Sequence, residues 1–186
     1  MNRDPRTPLP AVSVPSIGPS RAETAVPVTL AAASPRLSGK GERIYLTTEA
    51  DIVDAPSIGP KTAKRLEAVG VRTIADLLAL KPEEGQRDIG ARHISAQVIR
   101  DWQAQALLAC TVPGLKSREA QALVACGVRD AAELIACDPV ALTDAIARWG
   151  LSEEGARAWG VAPAPTEDDI ATWIARATRA NAKAAA

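Results

Sequence analysis

The stretch PSIGPKTAKRLEAVGVRTIADLLALKP, residues 56–82, decides the fold because the chain repeats it as PGLKSREAQALVACGVRDAAELIACDP at 113–139. Eleven of the 27 aligned positions are identical, and no gap is needed. Each copy leads to a Trp-bearing amphipathic stretch, SAQVIRDWQAQA at 95–106 and TEDDIATWIARA at 166–177. A unit this small cannot bury its apolar face alone. We therefore expect the two copies to pack together around one core.

The apolar spacing predicts a short first helix in each copy. Ala63, Leu66 and Val69 stand three residues apart, so one side of this helix is apolar. Gly70 follows, and Gly127 repeats it in the second copy. A glycine readily takes the positive φ that ends many helices. We expect a basic helix that buries its apolar side and stops at the glycine.

A second short helix is predicted after the glycine. Thr73 and Asp76 have the spacing of a capping box, in which two side chains satisfy the free amides at a helix start. Asp130 and Glu133 occupy the same positions in the second copy. The proline that closes each quoted stretch is expected to mark the end of this helix.

The composition favours an all-α protein. Apolar residues make up 47% of the chain and aromatic residues only 3%, so Ala, Leu, Val and Ile must fill the core. Ala and Leu are strong helix formers. The Pro/Ala-rich segment 1–46 lacks an amphipathic period and is predicted to be a disordered arm. One compact domain should follow, with repeats at 47–109 and 110–180, before a tail at 181–186.

The residue types give no support for catalysis, a metal or a membrane. Three cysteines, an odd number with wide spacing, suggest small buried residues in a reducing compartment. His93 is expected at the surface, and the acidic run 167–169 in the first turn of a helix. No apolar run reaches the length that spans a bilayer. We predict a cytoplasmic, non-enzymatic protein without a small-molecule substrate or a cofactor of its own.

The turn at 57–59, Ser-Ile-Gly, is the candidate binding element. Its apolar residue is expected to enter the core, while its small neighbours let the backbone approach a partner. The first amides of the following helix have no helical acceptor and lie at the positive end of the helix dipole, so they suit an anion. The candidate nucleic-acid-binding residues are this turn, the adjoining basic helix and their counterparts: Ser57, Ile58, Gly59, Lys61, Thr62, Lys64, Arg65, Gly114, Lys116 and Arg118.

Residues 52–78, IVDAPSIGPKTAKRLEAVGVRTIADLL, resemble a helix-hairpin-helix motif. The family pattern is apolar–x–x–Pro–Gly–apolar–Gly–x–x–x–Ala–x–x–Leu, closing on Gly-Val or Gly-Ile. The tandem arrangement over 50–180 resembles a bacterial family of unknown function, often labelled flap-endonuclease-like helix-three-turn-helix. The resemblance implies two tandem, SAM-like helix-hairpin-helix repeats that bind duplex or single-stranded DNA without sequence preference, in some members with a monovalent cation at the hairpin carbonyls. Because the net charge is zero, we expect this binding to be weak, with RNA as an alternative ligand. The resemblance covers the DNA-binding motif of the flap nucleases and not their catalytic part.

The two turns depart from the family pattern in different ways. The first copy lacks the first glycine of Gly–apolar–Gly, and the second copy has Lys116 in place of the last. We expect the first copy to contact phosphate and the second to be its structural partner. The alternative is a protein-docking or scaffold module without nucleic-acid binding, which fits 16 basic and 18 acidic residues over 51–186.

The four tryptophans divide into two pairs. Trp102 and Trp173 hold matching places in the two copies and are expected to pack in the core. Trp149 and Trp159 each precede a glycine in the longer spacer of the second copy. They fit either internal contacts that fasten this spacer or an exposed apolar patch, and the sequence leaves both readings open.

Overall fold

A computed structural model describes residues 43–160 and 162–185, and this part of the chain is helical. After a 3-10 helix at Ile52–Asp54 come α1 (Pro60–Ala68), α2 (Ile74–Ala79), α3 (Pro82–Ile89), α4 (Ala96–Thr111), α5 (Ser117–Ala125), α6 (Ala131–Ile135), α7 (Pro139–Gly150), α8 (Glu153–Trp159) and α9 (Glu167–Ala184). The predicted all-α class is confirmed for these residues.

The first helix of each copy ends in the same way. Val71 N donates to Leu66 O at 2.9 Å, and the equivalent pair, Val128 and Leu123, has the same distance. The glycines just before these valines have φ values of 92° and 90°. Ala63 and Leu66 are buried on α1, as the apolar spacing predicts. The helix ends expected from the glycines are confirmed.

The second short helix is capped in both copies. Thr73 Oγ1 accepts from Asp76 N at 3.2 Å, and the Asp76 carboxylate accepts from Thr73 N at 2.9 Å. In the second copy Asp130 accepts from Glu133 N at 2.8 Å, while the Glu133 carboxylate reaches one residue further back, to Arg129 N. The first capping box is therefore as predicted, and the second is a variant of it.

Three helices were not expected from the sequence. Pro82 and Pro139 each open a new helix, α3 and α7, besides ending the preceding segment. Proline suits the first position of a helix because its fixed φ is helical and that position needs no amide hydrogen. The third, α8, accounts for the longer spacer of the second half. Both spacers thus contain helices as well as loops.

One hydrophobic core serves both halves of the described chain. Leu66, Ile99, Leu123 and Ile170 are fully buried in it. α4 packs against α2, α3 and α5, and α9 packs against α6 and α7. Trp102 and Trp173 are 7% and 6% exposed, which confirms the prediction that both lie in the core.

Two helices and the non-helical residues 43–46 cross the predicted boundaries. α4 continues to Thr111, past the boundary at 109, and α9 continues to Ala184, into the predicted tail. At the amino end, Leu46 is buried in the core and Arg43 O accepts from Gly114 N at 2.9 Å. The rest of the predicted arm, residues 1–42, lies outside the described residues.

Candidate functional site

The first turn places its apolar residue in the core. Ile58 is 5% exposed, and its amide donates to Ala55 O at 3.2 Å to close the turn. Ser57 and Gly59 on either side are exposed. The arrangement is the one expected from the small–apolar–small pattern: the buried side chain anchors the turn, and the backbone around it stays at the surface.

Three main-chain amides of this turn have no acceptor within the described residues: those of Ser57, Gly59 and Lys61. The amides of Thr62 and Ala63 both donate to Gly59 O at 2.9 Å, so this carbonyl accepts the first hydrogen bonds of helix α1. The turn and the first residues of α1 therefore present unpaired N–H groups on exposed residues, which is the arrangement that binds anions at helix starts.

Neither backbone conformation nor internal packing requires a glycine at position 59. Its φ of −88° is open to any residue. A Cβ built there meets nothing within 4 Å. The missing side chain leaves free space at this position of the turn, which permits close approach of a ligand.

The basic side of α1 is solvent-facing. Lys61, Lys64 and Arg65 are exposed, and neither lysine makes an ion pair with the residues that the structure describes. The Arg65 guanidinium donates to Nε2 of His93 at 2.9 Å, so this histidine nitrogen is the acceptor. His93 lies at the surface, as predicted, in the loop between α3 and α4. Sequence reasoning missed its contact with Arg65.

The second turn also buries its apolar residue, but two of its amides are occupied. Leu115 is fully buried, as Ile58 is in the first copy. Gly114 N donates to Arg43 O at 2.9 Å, and Lys116 N donates to the Glu119 carboxylate at 2.8 Å. Glu119 is itself buried. A carboxylate from the chain therefore already occupies the place where an external anion would bind.

The second-copy cations are also arranged differently. The Arg118 guanidinium carbon lies 5.5 Å from the ring centre of Trp159, a cation–π arrangement within the chain. Arg118 Nε is buried and has no partner among the described residues. Lys116 is exposed at the start of α5. The structure thus gathers the first-copy candidates around an open turn, whereas those of the second copy surround a closed one.

Burial raises the pKa of the Glu119 carboxyl, and the Lys116 amide together with the charges of Lys116 and Arg118 only partly opposes the shift. The reverse holds for Asp76, whose pKa is lowered by hydrogen bonds from the amides of Arg72 and Thr73. A raised carboxyl pKa in the folded state favours folding increasingly as pH falls, whereas a lowered one favours folding above the unfolded-state pKa.

We expect the two carboxyls to give opposite pH slopes of stability. From pH 7 to about 4.5, Glu119→Gln should lose stability relative to the wild type, because only the wild type can protonate Glu119. Asp76→Asn should gain stability relative to the wild type only at lower pH, below the ordinary aspartate pKa of 3.8, because there the wild type progressively loses its charged cap. Urea denaturation at several pH values measures both differences. If the stability differences of the two variants from the wild type changed with pH in the same direction, the opposite pKa shifts of Glu119 and Asp76 would be contradicted.

Ser57 holds a strained conformation that Gly114 takes without strain in the second copy. Their φ values are 63° and 81°, and Ser57 is the sole non-glycine residue with positive φ in the described chain. The Ser57 hydroxyl donates to Gln105 Oε1 at 2.7 Å, and Gln105 is only 8% exposed. This bond satisfies a buried amide and fixes the turn against α4.

Replacing Ser57 by alanine should cost about 1–2 kcal/mol of unfolding free energy, since a buried acceptor is left unsatisfied while the strain remains. Ser57→Gly loses the same bond but relieves the strain, so its cost should be smaller by about 1 kcal/mol. Urea unfolding of the two variants provides the comparison. Equal stabilities would show that the positive φ carries no strain.

The described segments contain no group of three or more His, Cys, Asp or Glu side chains that could hold a metal. Cys110, Cys126 and Cys137 are free and only half-buried, whereas buried cysteines were expected. Burial raises the pKa of the Cys110 thiol to about 11. None of the helices described could cross a membrane, given their length and polarity.

The tryptophans of the longer spacer make internal contacts. Trp159 Nε1 donates to Pro163 O at 2.7 Å, and its ring packs against Arg118 of α5. Trp149 is half-buried on α7 and packs against the hydrophobic core. Of the two interpretations left open by the sequence, the structure supports the one in which these side chains fasten the spacer.

Comparison with known proteins gives one match. Residues 56–180 match the family described as "Domain of unknown function (DUF4332)". No curated protein and no solved structure matches the chain significantly. The matched segment starts at the first turn and ends within α9, so it includes both copies and both turns.

Proposed function

We propose that this chain, which belongs to the family described as Domain of unknown function (DUF4332), is a non-catalytic module that binds nucleic acid through its backbone phosphates. The two copies are tandem helix-hairpin-helix units in this proposal. The first turn and α1 form the binding element, and the second copy is its structural partner.

The observation that carries the proposal is the difference between the two turns. At the second turn, Arg43 O and the Glu119 carboxylate occupy the amides of Gly114 and Lys116. At the first turn, the equivalent amides of Ser57 and Gly59 have no acceptor in the described chain. These two amides are thus occupied by the chain itself in the second copy, whereas in the first copy they can accept an oxygen anion from outside.

Phosphate is the anion that best fits this site. Unpaired amides and the positive end of the α1 dipole attract negative charge, and Lys61 and Lys64 lie within the next turn of helix. Contacts of this kind are made with the sugar–phosphate backbone and do not distinguish one base from another. We therefore expect binding to be independent of sequence, to DNA in the first place and to RNA if its backbone fits the same turn.

The expected affinity is low because few cations take part. Non-specific binders have dissociation constants of about 10⁻⁴–10⁻⁶ M, and about three engaged phosphates give a log–log salt slope near −2.7. Fluorescence anisotropy with labelled duplex DNA, single-stranded DNA and RNA measures both quantities. Failure to bind any of the three at about 20–50 mM salt, where screening is weak, would refute the proposal.

The monovalent cation implied by the family resemblance remains part of the proposal. The carbonyl oxygens of Ser57 and Ile58 accept no hydrogen bond from the residues the structure describes, so they are available as ligands. Carbonyl oxygens of this kind suit a hard cation, which would bridge the turn and a phosphate. A dependence of the anisotropy on K⁺ versus Li⁺ at fixed ionic strength would support this role.

The second candidate function is protein docking without nucleic-acid binding. The near balance of 16 basic and 18 acidic residues over 51–186 favours it, since non-specific DNA binders usually have a basic face. The outcome that selects it is a specific protein partner recovered by the full chain, with no anisotropy change on any oligonucleotide.

A further inference from the structure

Helix α7 exposes a stripe that includes apolar residues. Val140 is 50% exposed and Leu151, directly after the helix, is 88% exposed. They are two of the four large exposed hydrophobics in the described chain. At 100° per residue, both fall on one face, opposite the buried Leu142 and Ile146. This face of α7 is therefore solvent-facing while the other side packs into the core.

The charged residues on this stripe have opposite signs. Asp144 and Arg148 lie between the two apolar ends and are exposed, together with Ala147. Neither takes part in an ion pair with the rest of the described chain. Along about three turns of helix, this face therefore presents an apolar, an acidic, a small, a basic and a second apolar side chain, in that order.

This order is complementary to itself when reversed. If two α7 helices pack antiparallel across a two-fold axis, Val140 of one copy lies opposite Leu151 of the other. The same register brings Asp144 close to Arg148 of the second copy, because both pairs are centred on nearly the same point, between residues 145 and 146. Ala147 near this centre is small enough to allow close helix contact. An isologous interface requires such self-complementarity.

We propose that the α7 face, Val140–Asp144–Ala147–Arg148–Leu151, binds a second copy of this chain. Two apolar contacts at the ends and two ion pairs near the centre hold the dimer. Four of these five residues, Asp144, Ala147, Arg148 and Leu151, also line an open cavity of about 640 Å³ that Trp159 of α8 lines from the other side, so the contact has room for side chains of the second copy. The interface is independent of phosphate binding because it uses other residues than the first turn.

A charge-reversal cycle on the full chain tests the proposal. Sedimentation equilibrium at protein concentrations up to about 0.5 mM, a range that covers weak interfaces, should detect a wild-type dimer. Asp144→Arg and Arg148→Asp each place like charges together at both symmetry-related positions. Each should raise the dissociation constant at least about tenfold. The double variant restores opposite charges and should return to within about threefold of the wild type.

Arg179→Asp on α9 is the matched control, since this residue is exposed and lies off the stripe. It should leave the dimer unchanged. Circular dichroism should be the same for all variants because the replaced side chains are exposed. A wild-type monomer at every concentration, or a double variant as weak as the single ones, would overturn the proposal. Recovery of a different protein on this face by a monomeric chain would overturn it as well.

Discussion

Reversing the charges of Lys61 and Lys64 to glutamate is expected to weaken binding to duplex and single-stranded DNA at least about 30-fold at low salt. Both lysines are exposed, lie beside the unpaired amides of the first turn and have no acidic partner in the described chain. Glutamates at these positions would repel the phosphate and would lie close to the same unpaired amides of the first turn. The log–log salt slope should fall from about −2.7 to about −0.9, because one cation of three remains.

A matched double reversal isolates the site from the overall charge. Arg179→Glu with Lys183→Glu on α9 makes the same change in net charge at exposed positions outside the turn. This variant should bind nearly as the wild type does. If both double variants lose affinity equally, binding follows net charge and not the turn. If neither loses affinity, α1 does not contact the nucleic acid.

The helical scaffold was largely predictable because each helix start and stop has a local chemical signal. Gly70 and the Thr73–Asp76 capping box mark the two short helices of the first copy, and their equivalents mark those of the second. Ser95 caps α4 through Val98 N at 3.3 Å, which agrees with a helix start near that residue. These signals act within four residues along the chain, so no knowledge of tertiary contacts is needed to recognise them.

The helices α3 and α7 were missed because proline was interpreted as a stop alone. α2 ends at Ala79 and α3 begins at Pro82, with only two residues between them. Glu83 and Glu84 in the first turn of α3 were the available signal, since acidic residues favour a helix amino end. A proline followed by acidic residues should therefore have suggested a new helix.

The sequence could predict only in part which of the two turns has unpaired amides. The aligned position that is Thr62 in the first copy is Glu119 in the second, and a glutamate three residues into a helix often caps the amide at its start. That difference could have predicted the closed second turn. The contact of Arg43 O with Gly114 N joins residues far apart in the chain and has no local signal. The same is true of the bond between Ser57 and Gln105.

Replacing Gly155 by alanine is expected to lower the free energy of unfolding by about 2–3 kcal/mol. A Cβ at this position would overlap Trp149 O and would lie 2.7 Å from the Trp149 carbonyl carbon and 2.8 Å from Gly150 Cα. All these atoms are main chain, so no side-chain rotation can relieve the overlap. α8 would have to move away from α7, which disturbs the packing of Trp159 on Arg118. The gain in helix propensity of about 1 kcal/mol offsets only part of this loss.

Gly150→Ala is the matched control, since a Cβ at Gly150 meets nothing within 4 Å and the residue is helical. It should be neutral or slightly stabilising, by up to about 1 kcal/mol. Urea denaturation monitored by tryptophan fluorescence compares both variants, and the anisotropy assay shows whether the first turn still binds. Full stability in Gly155→Ala would mean that α8 does not pack this closely on α7. A destabilised but folded Gly155→Ala that still binds DNA would separate the structural role of the second half from the binding role of the first.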